Sequence, residues 1–292
     1  MSTAATYKSF AIIGATGDVG SHILQAFVSI GVNPLVISRH NSTSDPTLPP
    51  SVRLAKVDLE DVDGVADVLK EHNIEVLVSA IATAALKTQY SLAEAAKKAG
   101  IKLYVPSEYG FVTDGISRYP GEDESSEVVW KDNFAQHLEK IGLPYARFFV
   151  GSFFGYIPWF TGHEENGKVN IVGKGETPVS FTHEEDIGGY VAHVLTTLPP
   201  EELANRRFRI EGDNITFVEL AKRLKREVAY VDRVPGGGAS NEFKNYLVGL
   251  FDSGRASVSW DYDLNARRQG EAANDKKLWP GHQWKTFADV GL

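Results

Sequence analysis

Three glycines, at 14, 17 and 20, stand between an apolar run over Phe10–Ile13 and an amphipathic stretch opening at Val19. No other feature narrows the fold as much. A strand that turns on G-x-x-G-x-x-G directly into a helix is a phosphate-binding arrangement when both flanking elements are present. Gly14 permits the tight turn, Gly17 leaves the backbone bare for a pyrophosphate, and Gly20 lets helix and strand approach closely. The helix N-terminus then offers main-chain N–H groups and the positive end of its dipole to an anion. Ala15, Thr16, Asp18 and Val19 belong to the same loop. The plain alternative is a strand–turn–helix without a ligand. The strand before, the helix after and the position near the chain start all favour a dinucleotide.

The pattern downstream agrees. Apolar runs at 9–13, 35–38, 52–57, 75–80, 102–105 and 145–150 alternate with amphipathic stretches at 19–30, 62–72, 86–100 and 126–142. That alternation predicts an α/β fold of Rossmann type, a doubly wound parallel sheet with helices on both faces. The run VLVSAIA at 76–82 is apolar throughout, as a strand covered on both faces requires. After Val150 the pattern loosens into aromatic and glycine-rich segments. The expected organisation is a dinucleotide-binding domain over 1–150 and a smaller α/β lobe over 151–292 that takes the substrate. The helix expected at 182–195 begins with a Thr182–Glu185 capping box and packs back on the first domain.

The second strand selects the dinucleotide. It ends at Arg39, with no carboxylate before Asp45, and Ser42 and Thr43 follow as hydroxyl donors. An acid there binds a ribose 2′-hydroxyl, whereas a guanidinium accommodates a 2′-phosphate, so the reading is NADP. Asp58, after the third strand, either meets the adenine edge or starts the next helix; the residues alone leave both open. Ser79, Ala80 and Ile81 end the fourth strand, where ligands of such sheets lie. Val150, Ser152 and Phe153 follow the sixth strand and are expected to face the nicotinamide. Phe154, Tyr156, Trp159 and Phe160 then form an aromatic group, read either as core or as a pocket for a flat apolar substrate. His163 and His183 read as proton donors or as structural groups, and Pro235–Gly238 as a lid or a linker.

Composition excludes more than it selects. A formal charge of −8, with no basic block, argues against non-specific nucleic-acid binding. The chain has no cysteine, so a thiol nucleophile and a Cys-based zinc site are absent, and no metal motif appears. No apolar run reaches a membrane-spanning length and the start lacks a signal-peptide pattern, so the expectation is a cytoplasmic protein. A homodimer is compatible with all of this.

The segments GATGDVG (14–20), SRH (38–40), VPSEYG (105–110), VVWKDNFAQHLEKIGLPYARFFVGSFFGY (128–156) and EEDIGGYV (184–191) together resemble the NmrA-like and isoflavone reductase-like group of atypical short-chain dehydrogenases. The resemblance runs from about residue 8 to about residue 195, and its most specific part is PSEYG followed by a lysine eleven residues before GLPY. It implies that Lys131 is catalytic and that Pro106, Ser107, Glu108 and Tyr109 line the nicotinamide pocket. Two departures stand out. No tyrosine precedes a lysine at the Tyr-x-x-x-Lys spacing, and the regions Asn41–Ser44 and Asn133–Gln136 lack the extra basic residues of the plant reductases. The implied activity is NADPH-dependent reduction of a small aromatic or conjugated substrate, with Lys131 as proton donor or electrostatic catalyst. The rival is a non-catalytic NADP(H) sensor with a protein partner; an isomerase on the same fold is a third reading.

Overall fold

The computed structural model describes residues 5–40, 42, 48–270 and 274–291. Two compact units divide the chain. The first comprises residues 1–108, 115–148 and 187–208; the second comprises 109–114, 149–186 and 209–292. The chain therefore crosses between units five times, where the sequence reading placed one boundary at 150.

In the first unit the elements run β1 (Phe10–Ile13), α1 (Asp18–Ser29), β2 (Leu35–Ser38), β3 (Leu54–Lys56), α2 (Val62–Glu71), β4 (Val76–Ser79), α3 (Gln89–Ala99), β5 (Leu103–Val105), α4 (Glu127–Ile141) and β6 (Ala146–Phe149). The sheet has order β3-β2-β1-β4-β5, and every pairing in it is parallel. A single parallel bridge, Tyr104 to Tyr145, passes from β5 toward β6. All four residues of β1 and of β4 are buried, which explains their unbroken apolar sequence. Val65, Ala66 and Leu69 of α2 and Leu92, Ala93 and Ala96 of α3 close one core over Ala11, Ile13, Ile37 and Leu77.

Helix boundaries follow local chemistry. Asp61 caps α2 by accepting from Gly64 N, and Ser126 caps α4 by accepting from Val129 N. Gly142 ends α4 at φ +67°, a conformation open to glycine. On α4, Trp130 stacks on Phe134 with centroids 5.4 Å apart, and Tyr90 of α3 meets both edge-on. The start of the helix Glu184–Thr197 differs from expectation. Thr182 ends a strand, where its hydroxyl donates to Val150 O (2.7 Å) and accepts from Gly212 N (3.3 Å) rather than from Glu185 N. His183 Nδ1 instead accepts from Glu185 N. The part of this helix from residue 187 belongs to the first unit, where a Cβ on Gly188 would lie 2.4 Å from the backbone of His22 in α1.

The second unit is built from short pieces. Strands Ser152–Phe153, Val179–Thr182 and Asp213–Ile215 form one sheet with Val179–Thr182 in the middle, paired parallel to the first and antiparallel to the last. Val169–Ile171 pairs in parallel with Val228–Tyr230. Two aromatic groups fill the interior: Phe154, Phe181 and Phe287, and Phe111, Phe160, Phe217 and Phe251. Among the described residues no helix is long and apolar enough to cross a membrane.

Candidate active site

The turn after β1 is as tight as its glycines suggest. Gly14 lies at φ +84°, and a Cβ there would sit 2.3 Å from Ala80 O. A Cβ on Gly20 would sit 2.1 Å from Gly14 O, so helix and turn touch backbone to backbone. Gly17 differs. It is the N-cap of α1, in extended conformation, and no side chain caps the helix. A Cβ there would meet nothing closer than 3.4 Å. Gly14 and Gly20 thus serve packing, while Gly17 leaves open space over an uncapped helix terminus.

That space is part of a cleft of about 390 Å³ at the carboxyl ends of β1, β2, β3 and β4. Gly14, Ala15, Thr16 and Gly17 line one side, and Ala80, Ile81 and Ala82 follow β4. Arg39 and Ser42 stand at the end of β2, held in a turn by Ser42 N donating to Arg39 O (3.1 Å). Asp58, Leu59 and Glu60 line the remaining side. Asp58 Oδ1 accepts from Glu60 N at 3.0 Å, while Asp61 takes the cap of α2, so the helix-start role read for Asp58 passes three residues on.

Several residues read as cofactor contacts lie behind the cleft instead. Ser79 is fully buried within β4, and Val19 and Gly20 face the packing side of α1. Asp18 is exposed in the first turn of that helix. Pro106 and Ser107 are buried after β5, where Ser107 Oγ donates to Ile81 O (2.8 Å) and steadies one cleft residue. Leu59, Glu60, Ala82, Ala85 and Thr88 line the cleft but were missed. The rule that ligands lie beyond strand carboxyl ends would have found the first three, had it been extended past the last apolar residue.

Lys131, on α4, donates from Nζ to the main-chain oxygen of Glu108 at 2.7 Å. Burial holds its ammonium below the usual lysine range; Glu108 opposes that shift and Arg147 adds to it. The Glu108 carboxylate does not point toward a ligand. It accepts from Arg147 Nε at 2.8 Å, and both side chains are almost wholly buried, at 2% and 1% exposure.

The remaining expected residues belong to the second unit. Val150 and Ser152 are buried, and Tyr109 is buried with φ +34°, an uncommon backbone state for a tyrosine. Phe154 and Phe160 are core: Phe154 stacks on Phe287 at 4.6 Å, and Phe160 packs on Phe251. Phe153, Tyr156 and Trp159 are partly exposed and form an edge-to-face row at 5.4 and 5.7 Å. His163 shares a 2.6 Å hydrogen bond with Thr161 and is held below the usual histidine range by burial. Lys244 ties down the Pro235–Gly238 loop through Pro235 O (2.5 Å) and Gly236 O (2.7 Å). Among the described residues no group of three or more His, Cys, Asp or Glu is arranged to hold a metal ion.

A parallel sheet whose first strand turns on bare glycines into an uncapped helix defines a dinucleotide-binding α/β protein of Rossmann type. The family model of the NmrA-like family matches residues 6–246, and the chain belongs to that family. It is 29% identical over 203 residues to isoflavone reductase homolog P3 of Arabidopsis thaliana, spanning 64% of that protein's length. It is 30% identical over 233 residues to eugenol synthase 2 of Clarkia breweri, covering 74% of each chain. The complex of AtPrR2 with NADP+ and (+)pinoresinol superimposes with a TM-score of 0.78 at 18% identity, covering 99% of this chain and 100% of that one.

Proposed function

We propose that this chain is an NADPH-dependent reductase of a small aromatic or conjugated substrate. The carrying observation is Lys131: a half-buried lysine whose ammonium is fixed on a main-chain carbonyl, in the same unit as the glycine cleft, with its pKa lowered by desolvation. The cleft suits the cofactor. The clearance over Gly17 and the uncapped α1 terminus match a pyrophosphate, and Arg39 with Ser42 matches a ribose 2′-phosphate. When bound, the nicotinamide supplies hydride. Lys131 holds a proton at Nζ, and its reduced affinity for that proton makes it a better acid than an exposed lysine. The Glu108 carbonyl orients Nζ by accepting its hydrogen bond at 2.7 Å. The relatives point the same way: one compared structure carries NADP+ and (+)pinoresinol, and the sequence relatives include a protein named as an isoflavone reductase homolog.

The test follows NADPH oxidation with (+)pinoresinol and a panel of aromatic enones, ketones and quinones, for wild type and Lys131→Ala. The reading expects turnover to fall by about 100-fold or more in the variant, as for loss of a general acid, with NADPH affinity unchanged. Full turnover in Lys131→Ala removes the lysine from the chemistry. Tight NADPH binding with no turnover on any compound supports a sensor instead.

A further inference from the structure

Beneath Lys131 lies a buried charge network that the proposed chemistry does not use directly. Arg147, in β6, is fully buried, and Glu108 and Asp132 are 3% and 2% exposed. Arg147 Nε donates to Glu108 Oε1 at 2.8 Å, and its Nη1 lies 3.5 Å from Asp132 Oδ1. Asp132 also accepts from Ser117 Oγ (2.6 Å), Ser117 N (3.1 Å) and Gly115 N (3.2 Å). Burying three charges costs several kcal/mol each before pairing, and apolar residues of similar volume commonly serve packing as well or better. The network's two ends have a common neighbour. Glu108 provides the carbonyl that receives the Lys131 ammonium, and Asp132 is the next residue of α4.

We infer that Glu108, Arg147 and Asp132 form a positioning network for Lys131, fixing both the carbonyl that orients its ammonium and the helical turn that carries it. The inference rests on the reading of Lys131 as the proton-bearing residue. The Glu108 carboxylate is held by Arg147, which restrains the residue whose main-chain oxygen receives Nζ. Asp132 joins α4 to the 115–118 turn, so the helix cannot roll. The charged groups acting on Nζ are Glu108 and Glu127, which favour its protonated form, and Arg147, which disfavours it. Asp132 offsets the charge of Arg147. Without the Asp132 charge the unchanged repulsion from Arg147 is offset by one carboxylate fewer, so the net local charge facing the Lys131 ammonium is more positive.

The experiment reads Lys131 itself. Lysines are reductively methylated with a ¹³C label, which keeps their charge, and the Lys131 signal is assigned by its loss in Lys131→Arg. The signal is titrated in wild type, Asp132→Asn, Asp132→Glu and Glu108→Gln, each with NADP+ bound. We expect Asp132→Asn and Glu108→Gln each to lower the Lys131 midpoint by about half a pH unit or more, and Asp132→Glu to restore it toward wild type. An unmoved midpoint in folded Asp132→Asn or in folded Glu108→Gln overturns the inference, as does failure of Asp132→Glu to restore it. Should one of the two neutral variants fail to fold, the other carries the test. The two readings fail separately: undiminished turnover in Lys131→Ala removes the catalytic role, whereas the midpoint shift is measured without turnover.

Discussion

Replacing Gly17 by alanine separates what the glycine turn does for the fold from what it does for a ligand. The new methyl meets Gly14 O at 3.4 Å and Ala80 O at 3.7 Å, both ordinary contacts, at a backbone φ of −80° that any residue adopts. Alanine is a poorer helix N-cap than glycine, but it also reduces the freedom of the unfolded chain. These effects oppose each other, so the net change in stability is expected within about 1 kcal/mol. Binding is another matter, because the methyl stands where the proposed pyrophosphate would approach the uncapped helix end. Losing one charge-assisted main-chain hydrogen bond costs about 1.5–3 kcal/mol, a roughly 10- to 150-fold rise in Kd for NADPH. Calorimetric titration with NADPH and a thermal melt are the two measurements. Gly14→Ala and Gly20→Ala are the contrast, because their Cβ atoms would lie 2.3 and 2.1 Å from backbone oxygens. Both are expected to lose about 2 kcal/mol or more of stability. Wild-type affinity in Gly17→Ala would refute the placement of the pyrophosphate over this turn. A collapse of its melting temperature would refute the packing argument.

Arg39→Ala is expected to weaken NADPH binding by about 10- to 100-fold while leaving NADH binding nearly unchanged, read by fluorescence titration with both cofactors. The kcat of a substrate identified in the panel should fall with rising pH, starting below the ordinary lysine value of about 10.4, because the half-buried Lys131 must hold its proton to act and desolvation makes it hold it less tightly. Arg147→Met removes the guanidinium that pairs with buried Glu108 and Asp132 and should cost about 3–5 kcal/mol at pH 7. Losing the guanidinium raises the carboxyls' affinity for protons in the folded variant, so part of that loss should return in urea melts at pH 5 as they protonate. Phe154→Ala removes a ring stacked in the core and should cost about 3–5 kcal/mol, whereas Tyr156→Ala, partly exposed, should leave the melt nearly unchanged and show its effect in substrate KM.

The strands and helices of the first unit were legible because parallel strands covered on both faces read as unbroken apolar runs. The cradle was legible because glycine spacing has a direct steric meaning. Other features depend on distant partners. Thr182 carries a good capping sequence, yet its hydroxyl bonds Val150 O, a contact invisible from the local pattern. Glu108 looked like a pocket residue, since nothing nearby in sequence announces Arg147. A clue was available in YARFFV, where an arginine interrupts a strand buried on both faces and so demands a buried counter-charge. Phe154 and Phe160 were not separable from Tyr156 and Trp159 by sequence, because aromatic residues in one short segment can face either the core or the surface.

The way the chain threads its two units also governs how it can be cut and recombined. Residues 187–208 complete the first unit, although some forty residues of the second intervene. A fragment stopped at Val150 would lose the helix whose Gly188 rests on the backbone of α1. The cofactor-binding half therefore cannot be expressed as a simple N-terminal piece, and exchanging the other half with a relative would require several splice points rather than one. Under the proposed reductase reading, single substitutions at the partly exposed Phe153, Tyr156 and Trp159 test substrate preference with less disturbance of the fold than swapping a C-terminal cassette.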